Sequence, residues 1–455
     1  MSDIRLLIDF GSTFTKVVAV DVDKADVVSV ARVPSTVDTD VIIGLEQAFR
    51  LVGKDVPIDD SARKRAMACS SAAGGLRMVC VGFVPELTSE AATRAALGAG
   101  AKVVGRYSYQ LTRAEVDEIE GLAPDILLLA GGTDGGNERV ITHNARMIAR
   151  SYHRIKNVVV AGNKAAYDEI RGALRDFDGH TFFTRNVMPE IGTLDAEPCN
   201  KEVREIFIRH IIEAKGIAKA RSMIDEVIMP TPSAGLEAAR LIAGGCAGEA
   251  GMGELLVVDV GGATTNVHSV ATGKPTGGAV VIDHLPEPYV KRTVEGDIGL
   301  KYNIATLEEL ARERERPPDF DNVVKRFYGG KLPEGEAEVA CHDLMSHIAV
   351  ETAVGRHAGK LEVVYGPSGE VFVQRGKDLT RIKTVIGTGG GIVFAANPQQ
   401  VLEGALYRDD APTMLKPKAP ALYVDECYIL FAVGLLGQSA PAKALSLIKK
   451  HLKRV

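Results

Sequence analysis

Ile4-Arg5-Leu6-Leu7-Ile8-Asp9-Phe10-Gly11-Ser12-Thr13-Phe14-Thr15-Lys16 opens the chain, and Leu255-Leu256-Val257-Val258-Asp259-Val260-Gly261-Gly262-Ala263-Thr264-Thr265-Asn266 repeats its plan much later. Each stretch reads as an apolar strand, an acidic Gly/Thr-rich turn and a second strand. Turn glycines let backbone N–H groups approach an anion, and the hydroxyls add donors. An aspartate at a strand end suits hydrated Mg²⁺, which keeps several waters and takes one or two carboxylates. One such turn is often only a β-turn, since Asp and Gly both favour turns. Two in one chain predict duplicated half-domains closing on one nucleotide triphosphate. No G-x-x-x-x-G-K-[ST] occurs, so a P-loop is not the source of such chemistry.

Outward from the turns, the strand pattern continues at Asp26 to Val33, Met67 to Ser70 and Leu76 to Val84, with a helix over 39–54 and a small-residue turn at Ser71 to Gly75. From about residue 87 the rhythm changes. Strand-like runs at Asp125 to Ala130, Asn157 to Ala161 and Thr181 to Thr184 alternate with helical segments, which predicts a parallel βαβ layer. The glycines at Gly131 to Gly136 sit at a strand end without dinucleotide-fingerprint spacing; a tight structural turn and a ligand or domain-contact role both fit them. Residues 202–227 read as helical, Thr231-Pro232-Ser233 starts an Ala-rich helix, and 244–253 reads as a linker. Residues 290–360 read as mostly helical. Tyr365 to Val373 reads as a hairpin around Pro367-Ser368-Gly369. Thr384 to Gly391 reads as a strand running into glycines, and two helices close the chain.

The totals set limits. At 455 residues, two or more domains are expected. Hydrophobic content of 46%, charged content of 25% and a net charge of −5 describe a globular protein, not a nucleic-acid or polyanion binder. The basic tail Lys449 to Arg454 reads as the solvated end of a helix, where cations suit the dipole. Six cysteines are scattered without a C-x-x-C pair, and no His/Cys/Asp cluster is visible; buried thiols in a reducing cytoplasm are expected. His143, His153 and His357 stand alone. No apolar run is long enough to span a bilayer.

The order of elements resembles the superfamily of actin, sugar kinases and heat-shock chaperone ATPases. That resemblance implies an α/β fold of two RNase H-like lobes, here 1–245 with an inserted α/β subdomain at about 87–200, and 246–455 with a mostly helical insertion at about 290–360. It implies ATP and Mg²⁺, with Asp9 and Asp259 holding the metal's waters and acting in catalysis. Gly11, Ser12, Thr13 and Lys16 would contact the phosphates from one side, and Gly261, Gly262, Thr264 and Thr265 from the other. Gly389, Gly390 and Gly391 would lie against ribose and adenine. Glu295 or Asp297 is the candidate to orient the attacking water, because phosphoryl transfer needs positioning above all.

A narrower likeness covers roughly residues 3–440. The strings DFGSTFTK (9–16), PDILLLAGGTDGGN (124–137), VVVAGN (158–163), VDVGGATTNVHS (258–269), RTVEGDIG (292–299) and GTGGG (387–391) resemble the glutamate mutase accessory family called MutL or GlmL. This implies an ATP-dependent reactivating factor whose partner is an adenosylcobalamin-dependent mutase, with no nucleic acid and no membrane. A small-molecule kinase, a polymerising scaffold and a hydantoinase- or oxoprolinase-like subunit are the competing readings.

Overall fold

The computed structural model describes residues 3–11, 13–36, 39–70, 76–151, 155–213, 226–275, 280–282, 285, 287–328, 333–366 and 369–455. They belong to two compact units. One comprises Met1–Ala72, Ala214–Asp283 and Glu287–Val455; the other comprises Ala73–Glu213 and His284–Pro286.

The first unit is built on two sheets with one plan. In the first, Ile4–Phe10 pairs antiparallel with Phe14–Asp21, which pairs antiparallel with Asp26–Pro34. On the other side of Ile4–Phe10 lie Met67–Ser70 and then Glu226–Pro230, both parallel. The second sheet runs Val290–Glu295, Thr265–Val270, Leu255–Val260, Thr384–Thr388 and Ala421–Asp425, again with three antiparallel strands and two parallel ones. The near-continuous apolar runs follow from burial on both faces; Leu6, Leu7 and Ile8 are fully buried, as are Leu255, Leu256 and Val257. This twice-repeated 3-2-1-4-5 order is the pair of RNase H-like lobes expected from the sequence.

Each fifth strand leads into a connecting helix, the first Thr231–Gly244 and the second Leu430–Leu436. These two helices share one core with both sheets, including Leu7, Met229 and Ala239 beside Leu255, Ile386 and Leu435. Their small residues let the backbones touch: a Cβ on Gly434 would overlap the Ala234 carbonyl. The 22-residue helix Glu336–His357 contributes to a separate core against the second sheet.

The second unit carries five parallel strands, in the order Lys102–Tyr107, Arg77–Val81, Ile126–Leu129, Asn157–Val160 and His180–Phe183. This is the doubly wound 2-1-3-4-5 order. The βαβ reading thus holds for the layer, with Ile126–Leu129 at its centre and Arg77–Val81 beside it. The glycine turn after Leu129 is held by buried asparagines. Asn186 Nδ2 donates to Gly132 O and to Asp134 Oδ1, each at 3.0 Å, and Gly135 N donates to Asn163 Oδ1 at 3.0 Å.

Some local expectations are corrected. The helical reading of 202–227 overruns, because Glu226–Pro230 is a strand and the described helix is Glu197–Glu213; residues 214–225 lie outside the described set. Stretch 290–360 opens with the strand Val290–Glu295. The supposed linker forms a small ladder, Gly245–Cys246 with Glu249–Ala250. The basic tail does end a helix, Pro441–His451, and Lys450, Lys453 and Arg454 are exposed, but Leu452–Arg454 adds an antiparallel strand beside Ala421–Asp425, and Lys449 Nζ lies 3.1 Å from Glu249 Oε1. The turn at Ser71 to Gly75, the pair Pro367-Ser368 and His153 fall outside the described residues. Among the described residues no helix is long and apolar enough to cross a membrane.

Candidate functional site

Asp9 nearly ends its strand and is 2% exposed. Hairpin register places it opposite Lys16, and Asp9 Oδ2 lies 2.9 Å from Lys16 Nζ. Thr231, first residue of its helix, donates its hydroxyl to Asp9 Oδ1 at 2.6 Å. Gly11 N donates to Phe14 O at 3.0 Å, and a Cβ on Gly11 would stand 2.6 Å from that oxygen, so only glycine closes this turn without displacement. Ser12 lies outside the described residues. Lys16 Nζ also sits 3.7 Å from the Tyr428 ring centre and 5.3 Å from that of Phe431. Burial works against the ammonium, but Asp9, Tyr428 and Asp259 together hold its pKa above the usual lysine range.

The second turn copies the first. Gly261 N donates to Thr264 O at 3.0 Å, and Asp259 stands opposite Asn266 as Asp9 stands opposite Lys16. The cation here arrives from the next strand: Arg292 Nη2 donates to Asn266 Oδ1 at 3.0 Å. Burial lowers the Arg292 pKa to about 9, against the pull of Asp259. Burial raises the Asp259 pKa to about 6; Lys16 opposes this and Asp9 adds to it. The two carboxylates and Lys16 therefore form one electrostatic unit. A Cβ on Gly262 would lie 2.9 Å from Thr13 Oγ1, so the two turns face each other at close range.

Gly389, at φ +85°, closes the floor; a Cβ there would lie 2.5 Å from Asp259 Oδ1. One on Gly391 would overlap Leu300 and come 2.7 Å from Val260 Cγ1, whereas Gly390 has ordinary space, with Phe394 at 3.9 Å. Thr265 is fully buried and donates to Ile298 O at 3.1 Å, so its hydroxyl serves the framework. Thr264 Oγ1 accepts from Asn266 Nδ2 at 3.5 Å. Glu295 lies opposite Thr265 in register, next to the second turn. Arg356 Nη1 bridges Glu295 and Asp297, 2.7 Å from each, and burial still leaves the Glu295 pKa raised.

Sequence reading passed over several participants. Thr231 was visible only as a helix start, Arg292 only as the first residue of the string RTVEGDIG and Tyr428 only as part of a closing helix, while Arg356 carried no motif. Asp425 is another: fully buried, it accepts from Thr388 Oγ1 at 3.0 Å and from the Ile429 and Leu430 amides at 2.9 and 2.8 Å, fixing the start of the second connecting helix. His357 is a core residue bonded to Thr293 Oγ1 at 2.9 Å and Ser269 Oγ at 2.8 Å. His143 contacts Leu111 O at 3.0 Å.

Paired RNase H-like lobes, with facing Gly/Thr turns and an aspartate behind each, define the actin and heat-shock chaperone class of α/β protein. Within that class, the family model described as MutL protein matches residues 5–452, and the chain belongs to that family. A curated relative, Protein MutL of Clostridium tetanomorphum, is 44% identical over 466 aligned residues, which cover 100% of both chains. Two solved structures are similar at low level. One is described as the activator of the 2-hydroxyisocaproyl-CoA dehydratase from Clostridium difficile with bound ADPNP (10% identity, TM-score 0.29, 98% of this chain and 96% of that one). The other is described as glycerol dehydratase reactivase (11% identity, TM-score 0.30, 95% of this chain and 100% of that one). TM-scores of this size do not define a fold, which here rests on the strand order.

Proposed function

We propose that the chain is a cytoplasmic accessory ATPase that reactivates an adenosylcobalamin-dependent mutase such as glutamate (methylaspartate) mutase, promoting release of damaged cobalamin. The observation that carries the ATP reading is the facing of Thr13 and Gly262, with Asp9, Lys16 and Asp259 grouped behind them. The mutase reading is supported by membership in the MutL family and by the motif strings that resemble glutamate mutase accessory proteins.

The residues fit the implied ligands. Asp9 and Asp259 are carboxylates suited to the water shell of Mg²⁺. Gly11, Ser12 and Thr13 on one side, and Gly261, Gly262 and Thr264 on the other, offer amides and hydroxyls to phosphate oxygens. Gly389 to Gly391 leave a backbone without side chains for ribose and adenine. Bound ATP and Mg²⁺ supply the phosphoanhydride and a divalent charge; the chain supplies placement and a fixed cation, Lys16. Glu295, or Asp297 beside it, is the carboxylate to orient water, with Arg356 holding it in place. Ligand bridging two lobes acts on a partner through differential affinity for open and closed states.

Phosphate release from ATP and Mg²⁺ by the purified chain, with Asp9→Ala and Asp259→Ala, tests the site. Slow turnover lost in both variants is expected. Unchanged turnover in the variants would sink the assignment, and ADP formation only on adding a hydroxyl acceptor would transfer the site to a kinase.

A further inference from the structure

Cys427 and His451 are far apart in sequence, yet Cys427 Sγ lies 3.4 Å from His451 Nδ1. Glu426 Oε1 is 4.0 Å from the same nitrogen. The ligand atoms of Glu426, Cys427 and His451 all lie within 4.8 Å of one another, and they form the one such His/Cys/carboxylate group among the described residues. On the far side of the ring, His451 Nε2 lies 3.0 Å from Asp26 Oδ1. We propose that Glu426, Cys427 and His451 bind a thiophilic divalent cation of the zinc type, with Asp26 as the outer carboxylate that orients His451.

Four features carry this. First, the ligand types are right: thiolate, imidazole and carboxylate together suit Zn²⁺. Second, the spacing is right. Zinc–sulfur and zinc–nitrogen bonds of about 2.3 and 2.0–2.1 Å at a tetrahedral angle put the two atoms about 3.5 Å apart. Third, the tautomer is right. An Nε2–H donated to Asp26 leaves Nδ1 with its lone pair toward Cys427, the carboxylate–histidine–metal arrangement. Fourth, the framework is fixed. Glu426 and Cys427 follow the strand Ala421–Asp425, His451 ends the helix Pro441–His451, and Glu426 N donates to His451 O at 3.3 Å. Cation binding would release the Cys427 thiol proton to solvent and leave a fourth position for water. Such a site would clamp the C-terminal helix beside Asp425, which starts the second connecting helix.

The test uses the full chain, stripped with chelator and titrated with Co²⁺, then Zn²⁺. One Co²⁺ per chain is expected, with a near-ultraviolet thiolate-to-cobalt charge-transfer band that Zn²⁺ abolishes. Cys427→Ser and Glu426→Gln should remove or blue-shift that band while far-ultraviolet circular dichroism stays native. Asp26→Asn should weaken affinity about 10–100-fold. Cys69→Ser is the control, because Cys69 Sγ lies 3.7 Å from Asp9 in the other candidate metal site. No band in the wild-type chain, a full band in Cys427→Ser, or loss only in Cys69→Ser would overturn the proposal. The Cys–His pair would then be a hydrogen bond and nothing more.

Discussion

The ammonium of Lys16 stands between Asp9 and the face of Tyr428, and it balances a second, half-buried carboxylate at Asp259. Lys16→Met removes that balance and leaves Asp9 buried beside Asp259. Breaking a buried pair from one side costs about 3–5 kcal/mol, so urea unfolding at pH 8 should show a large fall in midpoint. Phosphate release should fall about 100-fold or more, the usual cost of removing one preorganised charge. Asp259 behaves in the opposite sense. Its folded pKa is raised from 3.8 to about 6, so the folded state binds the proton more tightly than the unfolded chain does. The stability this contributes is complete below about pH 4 and is lost as pH rises through about 6. Asp259→Asn should therefore stabilise the ligand-free protein relative to wild type at pH 8, by at most about 3 kcal/mol, and the gap should narrow at pH 5. A thermal-unfolding series across that range checks it; a gap independent of pH would contradict the assignment.

Among the elements, the connecting helices impose the strictest steric demand. Gly434 lies directly on the Ala234 carbonyl, so Gly434→Ala must push the helices apart. Overpacking of this kind costs about 1–3 kcal/mol, to be read from denaturant midpoints, and ATP turnover should fall with it because Thr231 sits on the displaced helix. Both hairpins, the Ala-rich helix and the glycine strand-turn were legible because Asp, Gly and Thr at fixed spacing encode the turn locally. Strand Glu226–Pro230 was not, since its few apolar residues carry no period distinguishable from the preceding helix. Strand Val290–Glu295 was hidden likewise: its Lys291 and Arg292 read as helical charge, although Arg292 is buried against Asn266. Partnerships such as Thr231 with Asp9, or Cys427 with His451, arise from tertiary closure and leave no mark on spacing.

For the whole molecule, the two-lobed unit and the parallel-sheet unit have separate cores, so ligand effects can be assigned to one of them. On the proposed function, a nucleotide held between Thr13 and Gly262 would bind only the folded two-lobed unit. At a hundred times its dissociation constant, such a ligand stabilises that unit by about 2.7 kcal/mol. Calorimetry with Mg²⁺–ATP should therefore raise one transition, attributable to the two-lobed unit, and leave the other in place. In Asp9→Ala or Gly389→Ala the raised transition should return to its ligand-free position. Gly389→Ala is the more discriminating of the two. It removes no charge, and acts by forcing a Cβ to within 2.5 Å of Asp259 Oδ1 and of Val260 O at a left-handed backbone position. Equal shifts in wild type and Gly389→Ala would place the nucleotide elsewhere. If the shift follows the cleft variants, the same variants belong in the assay that matters for the cell. A mutase inactivated by loss of its adenosyl group, supplied with fresh adenosylcobalamin and ATP, should regain turnover with the wild-type chain. It should not with Asp9→Ala, and a chain that binds nucleotide yet restores nothing would separate the ATP site from the partner proposed for it.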